Sequence, residues 1–167
     1  MRITDLLSAE TTLPAIATRR REDVLMEIAS RIAARHPEIG SARLAAALFK
    51  REDLMTTALA DGIAIPHARL SGLPRPLAAF GRSPQGIDWS AQDGGLTHMI
   101  FVLVVPDESG SPHLRLLAAA SRLLHDVACR GRLMQAADDV LLPTLRAEEE
   151  RLAPSVRLAR PMSLSAV

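Results

Sequence analysis

Aromatic residues are almost missing from this chain of 167 residues: there is no tyrosine, with three phenylalanines and one tryptophan. A core with so few rings has to be filled by Leu, Ile, Val and Ala, and an apolar share of 48% supplies them. Cysteine is scarcer still. With Cys129 alone, no internal disulfide can form, and a reducing compartment is the natural one. Its helical surroundings mark it as a small packing residue. An excess of either charge is lacking too: 20 basic and 19 acidic residues leave a formal net charge of +1. No basic face interleaved with aromatics exists, so nucleic acid is not an expected partner. Long apolar runs are also absent. Met99 to Val105 is well short of a membrane span, and Met1-Arg2-Ile3-Thr4-Asp5 has no apolar leader core. The expectation is a cytoplasmic chain without direct membrane insertion. No internal repeat is visible, and the length fits one domain.

What is present alternates between helical and strand patterns. Glu22 to Arg35 carries Val24, Leu25, Ile28, Ala29 and Ile32 on one helical stripe, ended by His36-Pro37. Arg19-Arg20-Arg21 in front of it reads as a solvated helix start. Ser41 is the expected cap of a second helix reaching about Arg51. Gly62 to Ile65 reads as a short strand, residues 69–76 as a loop, Leu77 to Arg82 as a strand and Ser83 to Gly86 as a turn. Ile87-Asp88-Trp89 reads as a short edge piece and Asp93-Gly94-Gly95 as a turn. Leu96 to Val105 is nearly continuous in apolar residues, the pattern of a strand buried on both faces. His98 near its start reads as sheet packing. Beyond a loop rich in turn residues, His113 opens a long helix to about Arg130, broken at Gly131. A last helical stretch, interrupted near Pro143, ends about Leu152. The expected fold is an α/β single-domain sandwich, with a mixed four- to five-stranded sheet flanked by helices. Residues 1–152 make the domain and 153–167 a tail.

The most informative run is Gly62-Ile63-Ala64-Ile65-Pro66-His67. A proline cannot donate to a sheet ladder, so the strand is expected to leave its sheet at Pro66, with His67 at its end. Strand ends are where α/β proteins place chemistry. An imidazole there can be a nucleophile, a base or a metal ligand near neutral pH. Arg51 upstream, His113 downstream and the Thr56-Thr57 pair between Arg51 and Gly62 add a guanidinium, a second imidazole and hydroxyls. Together they suit a site that handles a phosphoryl group. A metal site on His67 and His113 is the weaker reading, because two imidazoles have neither a cysteine cluster nor a close carboxylate motif beside them.

At these residues the chain resembles the IIA components of the phosphoenolpyruvate-dependent phosphotransferase system, type 2, the fructose/mannitol and nitrogen-regulatory family. Arg51-Glu52, Thr56-Thr57, Gly62 to His67, Asp93-Gly94 and His113-Leu114 carry the resemblance, in order, over about residues 3–150. It implies a phosphocarrier that accepts a phosphoryl group on His67, a tele-phosphohistidine candidate, from an HPr-type phosphohistidine. The sequence itself leaves the ring's tautomer open. Arg51 then becomes the clamp on phosphoryl oxygens, for which a guanidinium fork is suited. His113 becomes the partner imidazole at a helix N-terminus, whose amides favour an anion. Thr57 offers a hydroxyl to the phosphoryl group or supports the Gly62 turn. Glu52 is read as orienting Arg51 or as a surface acid. No cofactor and no metal are implied. The downstream partner is a regulatory target in the nitrogen branch or a IIB cysteine in the sugar branch. The lack of a second domain favours the regulatory branch. A binding module that no longer transfers phosphate is the remaining alternative. The chain departs from the family's usual residues at Gly95 to His98 and at Trp89, away from the nucleophile motif.

Overall fold

The computed structural model describes residues 2–107 and 111–153. After a short 3-10 turn at Ile3–Leu6 come β1 (Thr12–Leu13), α1 (Arg21–Arg35), α2 (Ser41–Leu54), β2 (Ile63–Ala64), β3 (His67–Leu70), β4 (Leu77–Ile87) and β5 (Thr97–Pro106). Then follow α3 (Ser111–His125), α4 (Val127–Gln135) and α5 (Leu141–Leu152). One mixed sheet runs in the order β1-β4-β5-β2, and β3 also pairs with β5. The mixed α/β sandwich expected from the sequence is the fold. Of the expected tail, 153–167, all but Ala153 lies outside the described residues.

The central strand explains its own sequence. Ile100, Val102 and Val104 point to a core shared with Val24, Leu25, Ile28, Leu44 and Leu48 of α1 and α2. Met99, Phe101, Leu103 and Val105 point the other way, to Leu116, Leu123, Leu124, Leu133 and Leu141 of the C-terminal helices. Side chains alternate across a strand, so a strand covered on both faces must be apolar at every step. Cys129 is wholly buried in the second core.

Several sequence expectations are corrected. The chain does not leave its sheet at Pro66. β2 pairs in parallel with Met99 and Ile100 of β5, and β3 resumes in parallel against Leu103 to Pro106 of the same strand. Pro66 gives up a donor only; its carbonyl still accepts the Leu103 N–H at 3.0 Å. His67 therefore opens a strand, and Arg69 and Leu70, read as the start of a loop, are sheet. The turn expected at Ser83 to Gly86 is an irregularity inside β4, where the pairing with β5 shifts between Arg82 and Ile87. The long helix from His113 breaks at Asp126, whose carboxylate caps α4 by accepting the Cys129 N–H at 2.7 Å. Gly131 lies inside α4. Pro143 sits in the first turn of α5, where its missing N–H leaves no bond unmade. Gly40, not Ser41, takes the cap position of α2. The strand β1 was hidden by its two-residue length.

One polar staple crosses the second core. Arg82 of β4, 4% exposed, donates to Pro14 O at 2.8 Å, Leu133 O at 2.8 Å, Ala136 O at 2.6 Å and Asp138 Oδ1 at 2.6 Å. It ties β4 to the end of α4 and satisfies carbonyls that the helix terminus leaves open.

Candidate functional site

Three elements meet at the C-terminal end of β5. The last turn of α2 carries Arg51, the first residue of β3 is His67, and the first turn of α3 carries His113. Arg51 Nε donates to His67 Nε2 at 3.1 Å, and a second guanidinium nitrogen donates to Met55 O at 3.0 Å. The two imidazole rings lie 5.5 Å apart, tilted by 51°. An open hollow of about 480 Å³ lies over them, lined by Lys50, Arg51, Leu54, His67, Arg69 and His113 among others.

The hydrogen bonds set the tautomer of His67. Its Nδ1 lies 2.9 Å from Ile65 O. A carbonyl can only accept, so Nδ1 carries the proton, and Nε2, which takes the Arg51 N–H, is the lone-pair nitrogen. Burial pushes the pKa of His67 below the usual histidine value, and the Arg51 charge adds to that. The Ile65 carbonyl and Glu52 oppose it. His113 is buried and its pKa is also lowered, by burial first and then by His67, Arg69 and Arg51. Its Nδ1 has no partner among the described residues. A neutral nucleophilic imidazole beside cations is an arrangement able to take up a phosphoryl anion.

Thr57 is not among the residues lining the hollow. It is buried, and it gives both its N–H, at 2.8 Å, and its hydroxyl, at 2.5 Å, to the carboxylate of Glu52. Glu52 is neither a surface acid nor bonded to Arg51. It is 3% exposed and also accepts Trp89 Nε1–H at 3.1 Å. Adjacent helix positions point about 100° apart, so Arg51 faces out while Glu52 faces the core. Asp93 shapes its own turn and braces a second one. Its carboxylate accepts Gly95 N–H within the turn, and Asp61 N–H from the turn before Gly62. His98 bonds Ser83 O and His125 bonds Ser121 O, both away from the hollow.

Sequence reasoning missed Lys50, Leu54 and Arg69. Arg69 stands two residues from His67 on β3, on the same outward face. Reading residues 67–70 as a strand would have found it. Lys50 and Leu54 flank Arg51 on its helix. Among the described residues no group of three or more His, Cys, Asp or Glu stands close enough to hold a metal. No described helix is long and apolar enough to cross a membrane.

Residues 5–142 match the family described as "Phosphoenolpyruvate-dependent sugar phosphotransferase system, EIIA 2". A nitrogen regulatory protein of Bradyrhizobium diazoefficiens is 36% identical over 126 residues, 75% of this chain and 82% of that one. A fructose-specific EIIA component of Haloferax volcanii is 40% identical over 90 residues, 54% of this chain and 58% of that one. Among solved structures, the nitrogen regulatory protein IIA-Ntr from Neisseria meningitidis superimposes with a TM-score of 0.79 at 26% identity, covering 86% of this chain and 98% of that one. By family, then, this chain is an EIIA type 2 member of the phosphoenolpyruvate-dependent phosphotransferase system.

Proposed function

We propose that the chain is a phosphocarrier that accepts a phosphoryl group on Nε2 of His67 from the phosphohistidine of an HPr-type carrier protein. The bond between His67 Nδ1 and Ile65 O carries this reading, because it leaves Nε2 as the only ring nitrogen with a free electron pair. That pair attacks phosphorus, the donor's N–P bond breaks, and the bonding electrons return to the donor imidazole. The ring of His67 becomes positive while Nδ1 keeps its proton, and the Ile65 carbonyl stabilises that charge. Arg51, which holds Nε2 before transfer, shifts its donors to the phosphoryl oxygens. Lys50 and Arg69 add positive charge around the hollow, and His113 serves as the second imidazole.

The downstream step is regulatory: phosphorylation state is reported to target proteins in the nitrogen branch. The likeness to nitrogen regulatory proteins in both sequence and structure, over most of each chain, supports this. Delivery to a IIB cysteine for sugar uptake is the second reading, favoured by the 40% identity to a fructose-specific component. Intact-mass spectrometry after incubation with phosphoenolpyruvate, enzyme I and HPr-type carriers tests the carrier role. One acid-labile phosphoryl group on the wild type and none on His67→Ala is expected. An unmodified wild type with every HPr-type donor overturns the proposal.

A further inference from the structure

Glu52 is a buried acid with no cation bonded to it among the described residues. Its two oxygens accept three hydrogen bonds, from Thr57 N–H, Thr57 Oγ1–H and Trp89 Nε1–H. Acceptance at both oxygens is the pattern of a carboxylate. Such a group is costly to bury, and a core of this composition could have used an apolar side chain in its place.

The bonds lead to the site. Thr57, clamped by Glu52, offers its own carbonyl to Ile65 N–H at 3.1 Å. Ile65 in turn offers its carbonyl to His67 Nδ1 at 2.9 Å. The pairing between them is a small hairpin, with Ala58 bridged antiparallel to Ala64, Leu59 N–H on Ile63 O, and the Asp61-Gly62 turn at its tip. Thr56 Oγ1 bonds Trp89 O at 3.0 Å, so Trp89 holds the same hairpin strand at a second point. On its own side, Glu52 follows Arg51 in the last turn of α2. A single carboxylate thus joins the element that carries the guanidinium to the backbone that aims the imidazole.

We infer that Glu52 is the positioning residue of this site: by holding Thr57, it fixes the Ile65 carbonyl and so locks His67 in the Nδ1–H tautomer with Nε2 presented to Arg51 and the hollow. It touches neither substrate nor the reacting nitrogen. The role assigned to Thr57 follows from this, as the link through which Glu52 acts. The inference rests on the proposed phosphoryl acceptance for its functional meaning, but not for its test.

The deciding reading is the tautomer of His67, taken from 15N shifts of histidine-labelled protein at about pH 8, above the ordinary histidine pKa. Wild type is expected to give one Nδ1–H form. Glu52→Gln keeps the shape but turns one acceptor into a donor, and a measurable Nε2–H population is expected at His67, with the folded spectrum otherwise retained. Phosphoryl acceptance is expected to fall by about tenfold, as for a reacting group slightly misaimed. Should Glu52→Gln not fold, Thr57→Val and Trp89→Phe each remove one donor to Glu52 and are read the same way. An unchanged single Nδ1–H tautomer in the folded variants overturns the inference, whatever the rate does. A wild type that shows the Nδ1–H form but accepts no phosphoryl group removes the carrier proposal and leaves the positioning role standing.

Discussion

At the scale of single residues the site turns on one imidazole held neutral. Both His67 and His113 have their pKa values lowered, chiefly by burial. The lone pair of Nε2 is therefore available below the ordinary histidine value of about 6.5. Phosphoryl acceptance should run at an even rate from about pH 8 down to about pH 6.5 and decline only below it, as measured by initial rates of mass gain with a pH-independent excess of donor. A decline centred above about pH 7 would contradict the assignment. The sign for stability is the same. A histidine whose folded pKa is depressed binds fewer protons folded than unfolded, so its contribution is full above about pH 6.5 and is lost as pH falls from there toward the folded value. The run ending at His67 and the Arg51-Glu52 pair upstream singled out two residues that the structure brings into contact. The role of Glu52 was not legible, because nothing in a sequence tells a helix-end acid that faces water from one that faces the core.

At the scale of elements, the site depends on a hairpin and a strand that the sequence half concealed. Pro66 reads as the end of a strand, yet the ladder passes through it by way of its carbonyl. The central strand β5 and helices α1 and α2 were plain, because their apolar periods are long. The break at Asp126 and the two-residue β1 were not, because a helix cap and a short strand leave little periodic signal. Gly62 shows what the hairpin demands. Its φ is +75°, and an added Cβ would lie 3.2 Å from Leu96 O and 3.3 Å from His98 Cδ2. Gly62→Ala is expected to cost about 1–2 kcal/mol in urea unfolding from the left-handed backbone alone. Gly94→Ala meets nothing within 4 Å at its φ of +71°. It should carry the conformational cost without the added contact, so equal losses at the two positions would show that the close approach at Gly62 has no energetic weight.

At the scale of the whole molecule, near-neutrality makes the chain sensitive to one modification. A formal net charge of +1 at pH 7 falls to about 0, because the phosphoryl group carries roughly −1.5 to −2 while the His67 ring, bonded to phosphorus at Nε2 and still protonated at Nδ1, gains a positive charge. Phosphorylation should slow migration toward the cathode in native electrophoresis near neutral pH, and His67→Ala should show no such change. The new anion in the hollow, where Lys50, Arg51 and Arg69 gather, is the physical means by which a partner would distinguish the two forms. The lone thiol takes no part: Cys129 is buried, and its pKa is pushed up to about 12 by burial and by Glu148 and Asp126. The balance of charge and the single cysteine were both readable from composition, and the fold class followed from the alternation of periods, while the strand order did not. The depth of the polar links, Arg82 to α4 and Glu52 to the hairpin, required the fold.

The most direct test of the central claim is 15N and 31P NMR of histidine-labelled protein phosphorylated by phosphoenolpyruvate, enzyme I and an HPr-type carrier. Phosphorus is expected to couple to Nε2 of His67, with Nδ1 still carrying its proton. Phosphorus on Nδ1 of His67, or on His113, would contradict it.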